Sequence, residues 1–194
     1  ALVMLMHIRH RPSDRAALQA AAAGAAASIA VLVEASTMYL MPCFMLYLLA
    51  SPRGRRLIIF FLAACVPAGL FQLYYNWACF GGPFESSYAH ANPAVMVYEN
   101  GSLFGVPTLR RLLELTVLPY RGLLVSSPIL IMILPGIVLL FRKKNLRAEL
   151  LFSAAASLIF LLFVASIHAW YSGSAPGPRY LVPAYPFMFL LTVF

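Results

Sequence analysis

"RRLIIFFLAACVPAGLFQLYYNW", Arg55 to Trp77, is the stretch that decides the fold. From Leu57 onward it is almost wholly apolar, and about 20 helical residues are what crosses roughly 30 Å of hydrocarbon. Arg53, Arg55 and Arg56 stand at its start, and Tyr74, Tyr75 and Trp77 crowd its end. Basic residues at one boundary and an aromatic belt at the other are how a membrane-crossing helix is anchored. The rest of the chain repeats the theme. Its 194 residues are 62% hydrophobic and 10% charged, with a mean hydropathy of +0.85. The fold class expected is all-α: a polytopic transmembrane helix bundle with short broken helices and an interfacial amphipathic helix.

A net charge of +8 would point to nucleic acid in a water-soluble protein, but here the positions of the charges exclude that partner. Arg9, Arg11 and Arg15, then Arg53, Arg55 and Arg56, then Arg142, Lys143, Lys144 and Arg147 form three short clusters between apolar runs, ten of the 14 basic residues. Short basic connections mark the cytoplasmic side of a membrane. Arg110, Arg111, Arg121 and Arg179 fall in the two other connections, 81–121 and 168–180, which are therefore expected to be external. Parity places outward spans at 57–77 and 150–167 and returning spans at 122–141 and 181–194, the last one truncated. The chain begins without an initiator methionine and stops at Phe194 inside an apolar run, so 1–194 reads as a fragment of a single polytopic domain. No cleavable signal peptide is visible. Cys43, Cys65 and Cys79 match neither a disulfide framework nor a metal-ligand spacing, and they read as packing residues.

The run from Ala17 to Leu49 has arginines on both sides, so it needs an even number of passes. As one helix its 33 residues would be about 50 Å long. It is read as two short helices, 17–33 and 35–49, that meet near "EAST", Glu34 to Thr37, with "AAAAGAAAS" allowing close helix approach. A re-entrant pair of this kind is tolerated where it lines a protein cavity. In the first external connection Leu109, Leu112, Leu113, Thr116 and Val117 recur at helical spacing, while Arg110, Arg111 and Glu114 fall elsewhere on the turn. That pattern predicts an amphipathic helix lying in the interface.

Three segments carry a family resemblance: "YYNWACFGGPFESSY" (74–88), "YRGLLVSSPILIMILPGIVLLFRKK" (120–144) and "WYSGSAPGPRYLVPAYPFMFLL" (170–191). Together they resemble the middle-to-late membrane region of bacterial integral-membrane glycosyltransferases of the GT-C fold, the group that includes protein mannosyltransferase-like enzymes. The resemblance runs from roughly Ala17 to the end. It implies transfer of a sugar from a polyprenyl-phosphate donor, as co-substrate, to a glycan, lipid or protein acceptor, usually with inversion. The active face would be the extracytoplasmic side of the bacterial cytoplasmic membrane. The family's main catalytic acid lies in an external loop near the N-terminus, upstream of this stretch. The resemblance implies no cofactor, and it leaves a divalent metal open.

Arg179 is the most informative single residue, because an arginine at a membrane edge needs a partner or water. Preceded by "SGSAPGP", whose backbone donors and Gly177 can form an anion-binding concavity, it suits a polyprenyl phosphate. It equally suits a snorkelling arginine on lipid phosphate. Glu85 is the loop carboxylate placed to act as a general base, with a solvated loop glutamate as the ordinary alternative. Glu34 interrupts an apolar pair of helices, either tethering Arg179 or another group in a cavity or reaching interfacial water. Trp170, Tyr171 and Tyr180 stack on a sugar or belong to the aromatic belt. Asn76 binds substrate or caps a span, and Arg121 is a second phosphate contact or a helix anchor. Tyr88 and His168 complete the candidate substrate-binding set. Glu85, His90 and His168 offer no i, i+3 or i+4 pair, so no metal site is expected. Two other classes compete. A lipid or solute transporter or flippase would carry polar residues along its spans, where only Gln72, Ser126, Ser127 and small serines are found. A non-catalytic membrane assembly subunit is the third.

Overall fold

The computed structural model describes residues 1–10, 14–51, 53–85, 90, 103–120, 122–142, 146–170 and 179–192. The described chain is all-α, and it divides into two compact units, Ala1–Ala91 and Asn92–Phe194.

The first unit holds α1 (Leu2–His10), α2 (Ala16–Val33), a 3-10 turn (Ala35–Leu40), α3 (Met41–Leu49) and α4 (Gly54–Phe80). The run 17–49 breaks at Glu34, whose extended backbone (φ −142°, ψ 103°) ends α2. The break is local chemistry. The Glu34 carbonyl accepts both the N–H and the hydroxyl of Thr37, and Ser36 Oγ donates to Glu34 Oε1 at 2.9 Å. Short polar side chains that satisfy the backbone locally compete with helix continuation. The first member of the pair is not short, however: 18 residues give α2 a length of about 27 Å.

Ala20, Ala23, Gly24, Ala27 and Ser28 are the buried face of α2, and it lies against α4. A Cβ on Gly24 would fall 2.2 Å from the Phe61 carbonyl oxygen, so two backbones touch there. Cys65 completes the seam, its thiol 3.4 Å from Gly24 O, whereas Cys79, also expected to be a packing residue, is exposed. At the opposite end of α2, Arg9 donates to Ala50 O at 3.2 Å and lies over the Tyr47 ring, joining α1 to α3. α4 buries only Gly54, Leu57 and Phe61 of its 27 residues.

The second unit holds α5 (Leu109–Thr116), α6 (Leu123–Ser126), a 3-10 segment (Pro128–Met132), α7 (Ile133–Arg142), α8 (Arg147–Ser166), a 3-10 turn (Arg179–Ala184) and α9 (Tyr185–Thr192). α8 is its centre: Phe152, Ala156, Phe160, Val164 and Ala165 are buried, against α9 and the turn before it. Gly136 of α7 meets the Leu191 carbonyl of α9 so closely that no Cβ fits between them. The stretch 122–141, expected to return as one crossing, is built in three pieces. Ser127 leaves helix (φ −142°, ψ 76°) because Pro128 follows, and a proline excludes its predecessor from the α region. α5 forms where the amphipathic pattern predicted it, capped by Thr108 Oγ1, which accepts the Arg111 N–H at 3.3 Å. Its buried residue is Leu115, which the predicted apolar stripe did not include, and Leu109, Leu113 and Val117 of that stripe stay exposed.

Among the described residues three helices, Ala16–Val33, Gly54–Phe80 and Arg147–Ser166, are long and apolar enough to cross a membrane.

Candidate functional site

The sequence-predicted site residues fall in both units, and each group has its own surroundings. In the first unit they gather at the C-terminal end of α4. Gln72 Nε2 donates to Asn76 Oδ1 at 2.8 Å, and Asn76 Nδ2 donates to Pro83 O at 3.2 Å. Asn76 therefore ties the turn after α4 back onto the helix. Gly81 allows that turn, its φ of +85° being the left-handed conformation that ends helices.

Glu85 sits just beyond that turn, half exposed, and its Oε2 lies 2.8 Å from His90 Nε2. The His90 ring stacks on Phe80, with centroids 5.2 Å apart and planes 12° from parallel. Glu85 and His90 are five residues apart, so helical spacing did not pair them. Glu34 is exposed and lines a cavity of about 510 Å³ together with Gln72 and Tyr75 of α4. Tyr88 lies outside the described residues.

In the second unit a small clasp organises the end of α8. Gly105 N–H donates to Ser166 O at 2.6 Å and His168 N–H to Leu103 O at 3.0 Å, an antiparallel bridge centred on Phe104 and Ile167. The half-buried His168 imidazole packs against Gly105, where a Cβ would come within 2.7 Å of Cε1. Arg111 reaches from α5 to the Ala165 carbonyl at 3.3 Å, placing a cation on the last turn of α8, where the helix end is negative. Phe104 meets Phe163, and Trp170 meets Tyr120 edge-on at 6.3 Å. The start of the 168–180 connection and the end of the 81–121 connection are thus joined at one end of α8.

Arg179 and Tyr180 open the 3-10 turn before α9, both exposed, and among the described residues no hydrogen bond or ion pair engages the Arg179 guanidinium. Arg121 and Tyr171 lie outside the described residues. Among the described residues no three His, Cys, Asp or Glu side chains converge.

Sequence reasoning passed over Gly105, Arg111 and a buried polar line on α8. Glu149, Ser153 and Ser157 follow one another at four-residue steps, and all three are buried. Ser28, Ser51 and Ser166 donate to carbonyls three or four residues back. The Ser153 and Ser157 hydroxyls have no hydrogen-bond partner among the described residues. Ser157 borders an apolar cavity of about 330 Å³, otherwise walled by residues such as Leu124, Leu134, Leu158 and Met188. The four-residue spacing was present in the sequence, but small serines in an apolar helix do not reveal which way they face.

No protein-family model, curated protein or solved structure matches the chain.

Proposed function

We propose that the chain is the middle-to-late region of an integral-membrane glycosyltransferase of the GT-C type, moving a sugar from a polyprenyl-phosphate donor to an acceptor on the extracytoplasmic face of a bacterial cytoplasmic membrane. The observation that carries this reading is the clasp at the end of α8. It brings two polar, aromatic connections together at one end of a helix long enough to cross a bilayer. Chemistry on a lipid-linked donor requires that arrangement: apolar helices in the membrane and polar groups concentrated at one rim. Arg179, exposed at the start of the turn before α9, supplies a guanidinium suited to a phosphate. Glu85 is the carboxylate for proton removal, with His90 orienting it. The exposed stripe of Leu109, Leu113 and Val117 gives α5 an apolar face to lay on the lipid boundary.

The test is transfer from a polyprenyl-phosphate sugar in vesicles by the full-length protein at matched expression. Arg179→Lys is expected to lose about tenfold or more, since an ammonium does not reproduce bidentate phosphate binding. Arg179→Ala loses more. Near-normal turnover with both variants removes Arg179 from the site and leaves it a snorkelling residue.

A transport reading draws on a different observation, the buried Glu149, Ser153 and Ser157 line with its two unengaged hydroxyls. Vesicles in which Ser153→Ala and Ser157→Ala lower solute or lipid flux but leave sugar transfer intact would favour it.

A further inference from the structure

We propose that the cavity at the C-terminal end of α2 binds an organic ammonium group. It measures about 510 Å³ and lies among the last turn of α2, Glu34, Met38 and one face of α4 that carries Phe71, Gln72 and Tyr75. Its polar wall is built mainly of acceptors. The N–H of Glu34 closes the helical ladder on Ala30 O, so the carbonyls of Val31, Leu32 and Val33 lie beyond it. These are the orphan groups of a helix end, where the macrodipole amounts to about half a negative charge. The Glu34 carboxylate adds a full charge, and the Ser36 hydroxyl engages only one of its oxygens. Gln72 gives one amide N–H to Asn76, which leaves its carbonyl oxygen and its second N–H to offer.

Among the described residues no lysine, arginine or histidine lines this cavity. The rings of Phe71 and Tyr75 stack with centroids 6.5 Å apart, and both residues border it, so an organic cation held there has aromatic rings within reach. Acceptors, a net negative field and aromatic rings together select a donor-bearing monocation of carbon framework. A hard divalent ion takes six or more oxygens, usually with several carboxylates. This wall has one carboxylate. A neutral polyol would leave that charge uncompensated. The inference concerns binding alone and does not rest on the transferase reading.

The experiment uses the full chain in uncharged maltoside micelles at pH 7, with n-butylammonium as the probe and n-butanol as its neutral counterpart, read by saturation-transfer NMR. Butylammonium is expected to bind saturably and at least about tenfold more tightly than butanol, the margin of a charge-assisted contact. Glu34→Gln, which keeps the acceptor for Ser36, should erase that preference. Glu34→Lys should block the site with its own ammonium, while Glu114→Gln, on α5, changes nothing. Helix content by circular dichroism accompanies each variant. Equal binding of amine and alcohol to the unaltered chain overturns the proposal without recourse to any variant. Unchanged amine binding in folded Glu34→Gln also overturns it, as does displacement of butylammonium by equimolar Mg²⁺ or Ca²⁺, which would make this a metal site.

Discussion

Gly105 has no Cβ because the His168 imidazole occupies that space. The same residue donates the 2.6 Å bond to Ser166 O, so it cannot retreat without opening the bridge. Gly105→Ala must push the imidazole aside or part the two segments, at a cost of about 1 to 3 kcal/mol for an overpacked site. A lower midpoint of thermal unfolding in micelles, with a shifted His168 ring resonance, is the expected outcome; an unmoved resonance would contradict the packing. His168 was recognisable from the sequence as a polar residue in a polar connection. Gly105 and Arg111 were not, since their partners lie more than fifty residues further along the chain and a single glycine or arginine carries no mark of a distant contact.

At the scale of elements, the pairing of α2 with α4 depends on small side chains. Where lipid tails are as apolar as leucine, helices associate through close approach and van der Waals contact, and small residues permit both. Gly24→Val would insert three carbons where even a Cβ comes within 2.2 Å of the Phe61 carbonyl, and no flexible side chain stands there to yield. The helices must separate, with an expected loss of about 1 to 3 kcal/mol or more. Crosslinking between Cys65 and a cysteine placed at Ser28, the side chain that meets it across the seam, should fall in that variant, and undiminished crosslinking would show that the seam is not rigid. The alanine-rich run advertised this contact in the sequence. The same logic left α7 obscure: "PGIVLL" does not display that Gly136 is reserved for the Leu191 carbonyl. The break at Ser127 follows from Pro128 alone, yet hydropathy averaged across 122–141 concealed it.

For the molecule as a whole, the largest fact is how much apolar surface stays open. Ile59, Val66, Leu70 and Trp77 on α4 are each more than half exposed. At roughly 25 cal/mol per Å² such surface is costly against water and neutral against hydrocarbon. Read as a membrane protein, the chain should expose its basic clusters on one side only. In a background with Cys43, Cys65 and Cys79 replaced, Ser102→Cys and Ser174→Cys are expected to react with an impermeant thiol reagent from outside, and Asn145→Cys only after permeabilisation. Labelling of positions 102 or 174 from the cytoplasmic side alone would invert the topology.

The sequence by itself determined the helical class, the long apolar helices α4 and α8 and the interruption at Glu34. All of these follow from composition, period and short-range chemistry. The tertiary structure alone decided which face of each helix is buried, that Leu115 rather than the predicted stripe anchors α5, and that Asn76 bonds to its own turn. It also decided that Glu85 meets His90, and that Gly105, Arg111, Ser166 and His168 close the end of α8. The physical reason is that an apolar helix in an apolar medium carries no amphipathic signal of its orientation. With the hydrophobic pattern uniform around the helix, small residues, single hydrogen bonds and backbone proximity select the packing, and these are settled between residues far apart in the chain.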